Sequence, residues 1–253
     1  MSAALELMLP AFHNVYLNKN ALETYEAIAK HADEINKGQK GFYFALAQRF
    51  ALDFAVIGIC KLYDKDERTH SVYALFKFFA DNFSVNHISK IRGDELCGFG
   101  LSNEEVAEYA PFLADAYSSL SFDKSKFAQV KERLIAKLYE QIPSKENNAA
   151  LKTLFGYRDK FVAHQERVKP EVEQQYKNVP SLDELEKLNA FAHNMCRLIG
   201  IVFDCGFVVD SVQSGFVATC NVIAKVLDVD FEDSSKALAE NYKARELFYE
   251  HLH

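Results

Sequence analysis

The sequence lacks tryptophan and is poor in the residues that interrupt helices. It has 10 glycines and 5 prolines in 253 residues, too few for a fold built from many short strands and tight turns. Long helices are therefore expected. With no Trp, the 21 Phe residues predict a core filled by phenylalanine and aliphatic side chains.

Membrane spans and cysteine pairs are missing as well. The two most apolar stretches, residues 50–62 and 198–209, are interrupted by Asp53 and Asp204. Both stretches are shorter than a membrane span, so we predict core helices and no membrane partner. The amino-terminal residues carry Glu6 and no basic cluster, which argues against a secretory signal. The five cysteines form no CxxC pair, a pattern typical of reduced thiols in a cytoplasmic protein.

Positive charge is in the minority. The formal net charge of -7 repels a polyanion at long range, so an extended nucleic-acid groove is excluded and any RNA must bind in a local pocket. The Walker A loop, GxGxxG, HExxH, GxSxG and EF-hand patterns are all absent. The eight histidines show no spacing typical of metal ligands. We therefore expect neither a metal nor a cofactor.

Apolar residues recur three and four positions apart along most of the chain, which predicts helices. Thr69 or Ser71 caps one of them, whose apolar face includes Val72 and Phe79. Residues 82–100 show no sustained period and are predicted to be irregular. The expected helices cover 20–36, 41–63, a segment after 71, one opening at 102, then 121–142, 144–166, 181–207, 213–227 and 232–248. The predicted fold is an all-α, irregular multi-helix bundle with one core.

One short segment carries residues suited to chemistry. Arg158 is followed six positions later by His164 in Gly-Tyr-Arg-Asp-Lys-Phe-Val-Ala-His. An imidazole exchanges protons near neutral pH, and a guanidinium binds phosphate through two parallel hydrogen bonds. This pair suits metal-independent RNA cleavage, in which the 2′-hydroxyl attacks phosphorus, and we expect Asp159 to orient Arg158 or His164. In the structural alternative, His164 complements the negative end of its helix while Arg158 and Asp159 are solvated.

The spacing of this pair predicts a second copy of the chain. Positions six apart on a helix differ by about 9 Å along the axis and roughly 120° around it. One chain therefore presents Arg158 and His164 on different faces. Two copies related by a two-fold axis can bring both pairs into one cleft, so we predict a homodimer with a composite site.

The same segment resembles the signature of HEPN domains, and its fuller wording, residues 157–166, is similar to the AbiU2-like branch of that superfamily. The apolar stretch that ends in an acidic and basic turn, residues 52–69, resembles the same branch. The resemblance covers about residues 1–210, which we take as a HEPN-like helical domain. Residues 211–253 are then a C-terminal helical extension packed on the same core.

The resemblance implies an all-α dimer and, in many members, a metal-independent endoribonuclease of phage-defence or toxin–antitoxin systems, with RNA as substrate and an antitoxin protein as partner. It implies Arg158 and His164 as the catalytic pair, supported by Asp159 and Lys160. The alternative is a non-catalytic interaction module that retains the HEPN fold. Asp53 and Asp204 are expected either to pair with Arg158 or to bind another Tyr, Lys or Arg with no catalytic part.

Overall fold

The computed structural model describes residues 2–38, 40–66, 68–91, 124–159, 180–205 and 215–227, together with Leu96, Phe99, Leu101 and Glu104. Within these residues the chain is all helical and no strand occurs, which confirms the predicted fold class. The longer elements are α1 (Ala3–Lys30), α2 (Ala32–Lys37), α3 (Gly41–Leu62), α4 (Val72–Asn82), a 3₁₀ helix (Val85–Lys90), α5 (Lys124–Gln141), α6 (Ala149–Tyr157), α7 (Leu182–Val202) and α8 (Gly215–Leu227). The helices expected near 102 and at 232–248 lie largely or wholly outside the described residues.

Helix α1 begins much earlier than the predicted start at residue 20. The Ser2 side chain accepts a hydrogen bond from the Leu5 backbone N–H and caps the helix. Pro10 lies inside the helix, although proline usually interrupts one. The helix persists because its buried residues recur every three or four positions: Ala4, Met8, Ala11, Val15, Asn18 and Leu22. This face packs against α3, α7 and α8. The helix then breaks at His31, so the single predicted helix ending at 36 is two helices.

Helix α3 runs antiparallel to α1. Asn18 meets Gly58, whereas Gln48, ten residues earlier in α3, donates to the backbone carbonyl of Tyr25. Most of the carboxyl-terminal half of α3 is buried, as predicted, but the helix exposes several large apolar side chains between Phe42 and Phe54. With 22 residues, α3 is also the one helix in the described part of the chain that is long and apolar enough to cross a membrane. The predicted apolar stretch, residues 50–62, is thus part of a longer apolar helix, and core helices of soluble proteins can have the same length and composition.

A buried polar contact fixes α1, α3 and α7 against one another. Asn18 of α1 donates through Nδ2 to Asn189 Oδ1 of α7 at 3.4 Å, and Asn189 donates to the carbonyl of Val15 at 3.0 Å. Gly58 of α3 lies against the Asn18 amide so closely that a β-carbon there would lie 2.7 Å from Asn18 Cγ and nearer still to its Oδ1. The absence of a side chain at Gly58 thus allows the two helices to approach.

Local capping signals set several helix ends where the sequence predicts them. Ser71 caps α4, and the apolar face of this helix is buried as expected: Val72, Leu75, Phe76 and Phe79. Ser181 and Glu184 form a reciprocal capping box at the start of α7. Helix α7 ends at Val202 rather than near 207, because Asp204 adopts a left-handed conformation with φ of 50°, which Asp tolerates better than most residues. Residues 206 and 207 lie outside the described residues.

The core consists of one large apolar cluster shared by α1, α3, α4, α5, α6 and α7. A smaller cluster lies beside it where α8 packs on α1 and α2, and consists of Ile28, Ile35, Phe44 and Ile223. Cys60, Cys196 and Cys220 are buried free thiols and Cys205 is a partly exposed one, which agrees with the expected reduced cysteines. Cys97 and the division of the chain at residue 210 are not tested by the described residues.

Candidate functional site

Arg158 is presented at the carboxyl-terminal end of α6. This helix starts at Ala149, where the Asn148 side chain accepts from the Leu151 backbone N–H at 2.9 Å. The predicted start at Ser144 was wrong, because the Ser144 hydroxyl instead accepts from Glu146 and Asn147 and closes a turn. Leu151 and Leu154 anchor α6 in the core. Arg158 follows them at helical spacing, so the apolar pattern itself places this cation at the edge of the core.

The backbone at Arg158 and Asp159 continues from α6 as a wider, π-type turn. Such turns are rare and often occur at functional sites. The Arg158 guanidinium donates to one carboxylate oxygen of Asp159, from Nη2 at 2.6 Å and from Nε at 2.8 Å. The side chain of Arg158 is 26% exposed and that of Asp159 is 52% exposed. The Arg158 guanidinium is therefore partly buried and oriented by Asp159, which itself remains exposed.

A second cation, Lys145, contacts the same aromatic ring as Arg158. The Arg158 guanidinium carbon lies 4.7 Å from the ring centre of Phe155, and the Lys145 ammonium nitrogen lies 3.7 Å from the same ring centre. Cations are attracted to an aromatic face at these distances. Two positively charged side chains thus contact one buried ring, in a chain whose net charge is negative.

The turn that carries Lys145 is held from two sides. The Tyr73 hydroxyl donates to the Pro143 carbonyl at 3.2 Å, and Lys65 donates to Glu146 at 3.2 Å. The site is therefore assembled from the turn before α6, the body of α6 and its last turn. Lys145 and Phe155 were not predicted as site residues. Lys145 lies thirteen positions before Arg158, and the turn that brings it to Phe155 depends on contacts with distant residues.

Cys60 of α3 lies beneath this cationic surface. Burial raises the pKa of its thiol to about 12, and the nearby Arg158 opposes that shift. The thiol stays protonated at neutral pH, which makes it a poor nucleophile. Cys60 therefore packs beneath the candidate site and contributes no reactive group to it.

Asp53 takes part in a separate network beside Arg158. It accepts from Arg49 Nε at 2.9 Å through one oxygen and from the Tyr157 hydroxyl at 3.2 Å through the other. Burial and the Asp53 charge raise the pKa of Tyr157 to about 12. Asp53 thus binds Arg49 and Tyr157 rather than Arg158, which is the second of the two expectations for this residue. It positions α6 against α3.

Asp204 also binds a partner other than Arg158. Its carboxylate pairs with the Lys90 ammonium group on the 3₁₀ helix. Asp204 is therefore a partner of a lysine, the second of the two expectations for this residue. Both aspartates stabilise packing between elements, and neither contacts Arg158 within the described residues.

Two of the predicted site residues, Lys160 and His164, lie outside the described residues. The structure therefore places Arg158 and Asp159 and leaves the geometry of the Arg158 and His164 pair as a prediction. No group of three His, Cys, Asp or Glu side chains that could hold a metal ion occurs in the described ranges.

A comparison with known protein families supplies the remaining finding. The family model HEPN_AbiU2, described as AbiU2, matches residues 3–217. The match spans most of the chain and includes the whole of residues 156–166. No curated protein and no solved structure gave a significant match.

Proposed function

The chain belongs to the HEPN family of AbiU2 proteins, and from that premise we propose that it is a metal-independent endoribonuclease. His164 acts as general acid or base, and Arg158 stabilises the charge that develops on the phosphate oxygens. A role in phage defence or as a toxin, with an antitoxin as partner, is the biological setting that we propose for this activity.

The paired cations on Phe155 are the observation that carries the proposal. Lys145 and Arg158 both contact the Phe155 ring, and an anion bound at this end of α6 would be attracted by both charges. A phosphate group of RNA is such an anion, and guanidinium binds it with two hydrogen bonds. The site is local, as the net charge of -7 requires.

Asp159 and an RNA phosphate would compete for the same donors of Arg158. Its carboxylate holds Arg158 Nε and Nη2, and these are groups that a phosphate would also use. In the proposed site Asp159 orients the guanidinium, and the substrate competes with it for the same donors. Lys160 follows Asp159 directly and is the proposed supporting cation.

The active form that we propose is a homodimer. On a regular helix, residues 158 and 164 point in different directions, so a two-fold-related copy supplies the second half of the cleft. The second candidate function, a non-catalytic interaction module, is favoured by the net charge of -7, which repels RNA at long range.

Cleavage of mixed RNA in EDTA tests the proposal. Purified wild-type chain is expected to cleave, while His164→Ala and Arg158→Ala lose activity by at least about 100-fold, a typical value for removing a general acid or base or a charge-stabilising donor. Arg68→Ala is the matched control, because Arg68 is an exposed loop arginine paired only locally with Asp66. Equal cleavage by wild type and His164→Ala, or none by either, would count against the proposed nuclease.

Mixing two inactive variants tests the composite site. Arg158→Ala and His164→Ala, refolded together, form mixed dimers whose cleft keeps one Arg158 and one His164 from different chains. Partial recovery of cleavage is expected. A mixture as inactive as its components, despite proven exchange of subunits, would mean that the site does not combine groups from two chains.

A further inference from the structure

The most unusual surface of the described chain lies on α3, between Phe42 and Phe54. Five large side chains there are exposed: Phe42 by 77%, Tyr43 by 72%, Phe50 by 63%, Phe54 by 48% and Leu46 by 42%. Residues 42, 46, 50 and 54 are spaced by four, and successive members are therefore rotated by only about 40° around the helix. Together with Tyr43 they form one continuous face, the α3 stripe.

The area of the α3 stripe is close to what a stable interface needs. With roughly 200 Å² per aromatic side chain, the exposed fractions give on the order of 600 Å². A standard protein interface buries about 800 Å² on each partner. The largest apolar patch on a typical monomer is about 300–600 Å² and is often functional. Flanking polar residues would supply the remaining area.

The α3 stripe adjoins the candidate site. Asp53 directly precedes Phe54 and accepts from the Tyr157 hydroxyl at 3.2 Å, and Tyr157 directly precedes Arg158. Arg49, whose side chain is half exposed, pairs with Asp53 on the same edge. The stripe therefore has an apolar centre with charged residues along the edge nearest α6, the arrangement found in protein interfaces.

From this placement we infer that the α3 stripe is the surface on which two copies of this chain pair. An isologous contact across a two-fold axis covers the same patch on both subunits. It also brings the carboxyl-terminal end of each α6, with its Arg158, toward the shared axis. The inference rests on the proposed function for its link to RNA cleavage, but the pairing surface itself is defined by the stripe alone.

The mass of the full chain in solution tests the pairing. Wild type at micromolar concentration is expected to have twice the 28.8 kDa of one chain, and Phe50→Asp is expected to have the single-chain mass. Phe42→Asp, at the most exposed member of the stripe, is a second variant expected to do the same. Leu9→Asp is the matched control. Leu9 is an apolar residue of α1 that is 47% exposed, and the antiparallel packing of α1 and α3 places it toward the opposite end of the pair from the stripe.

The outcomes separate the pairing surface from the proposed function. A wild-type monomer, or Phe50→Asp and Phe42→Asp variants that remain folded dimers, would overturn the inference. So would a monomeric wild type that binds vesicles of anionic phospholipid through Phe50, because the stripe would then face a membrane. RNA cleavage is measured on the same samples. A monomeric Phe50→Asp variant that still cleaves RNA supports the pairing surface and contradicts the composite site.

Discussion

The close contact of Gly58 with Asn18 predicts the effect of replacing Gly58 with Ala. Whether this substitution lowers or raises the free energy of unfolding depends on the side chain at position 18. In an exposed helix, replacing Gly with Ala stabilises by about 1 kcal/mol. Here a β-carbon would lie 2.7 Å from Asn18 Cγ and 3.0 Å from Nδ2, and Asn18 is fully buried. Overpacking of this kind costs about 1–3 kcal/mol, and displacing the Asn18 amide also breaks its bond to Asn189, at about 1 kcal/mol. Gly58→Ala should therefore lower the free energy of unfolding by about 1–3 kcal/mol.

The same substitution should be neutral or stabilising when Asn18 is already Ala. The three atoms nearest to the added methyl group all belong to the Asn18 side-chain amide, so Asn18→Ala removes the clash and leaves the gain in helix propensity, up to about 1 kcal/mol. Urea unfolding of the wild type, both single variants and the double variant, followed by circular dichroism, measures the coupling as a double-mutant cycle. An equal cost of Gly58→Ala in both backgrounds would refute the steric explanation.

Three further predictions concern a helix cap, the site charge and alkaline stability. Ser181→Ala removes the capping box with Glu184 and should lower the free energy of unfolding by about 1 kcal/mol, whereas an unchanged thermal midpoint would contradict it. Asp159→Asn removes the negative charge that Arg158 contacts at 2.6 Å, so the dissociation constant for single-stranded RNA should fall a few-fold at low salt. Because salt screens this charge, the difference in RNA affinity between the variant and the wild type should shrink as salt is added. Burial raises the pKa of Cys60 from 9.0 to about 12. Between pH 9.0 and about pH 12 the unfolded chain therefore releases a proton that the folded chain keeps, so the free energy of unfolding falls as pH rises. Urea midpoints at pH 8 and pH 10 in reductant should show this decline, and Cys60→Ala should show a smaller one.

Helix ends that depend on neighbours in the sequence were predicted well. Ser71 and the Ser181 capping box act within one turn, so their signals are complete in a few residues. The end of α5 near Pro143 follows from the lack of an N–H in proline. The start of α1 was missed because Pro10 suggests an interruption, whereas the burial of every third or fourth residue outweighs the cost of the proline.

The candidate site was predictable only in part, because its residues meet through tertiary contacts. The motif identified Arg158 and Asp159, whose contact is between adjacent residues. Lys145 reaches Phe155 only because the Ser144 turn shortens α6 and bonds from Tyr73 and Lys65 hold that turn. Periodicity likewise identified α3 as a helix, but it does not reveal which half of an apolar helix the neighbouring helices leave uncovered.

The central position of α1 has a consequence for biosynthesis. Its buried face is completed by α7 and α8. Asn18 bonds to Asn189 of α7, 171 positions later, and Thr24 bonds to Thr219 of α8, 195 positions later. At about 5–20 residues per second, the ribosome needs roughly ten seconds or more to add those partners after α1 is made. During that interval the apolar face of α1 that α7 and α8 will cover is exposed to solvent or to a chaperone. The nascent chain therefore closes its core late, and such non-local closure is slow and prone to aggregation.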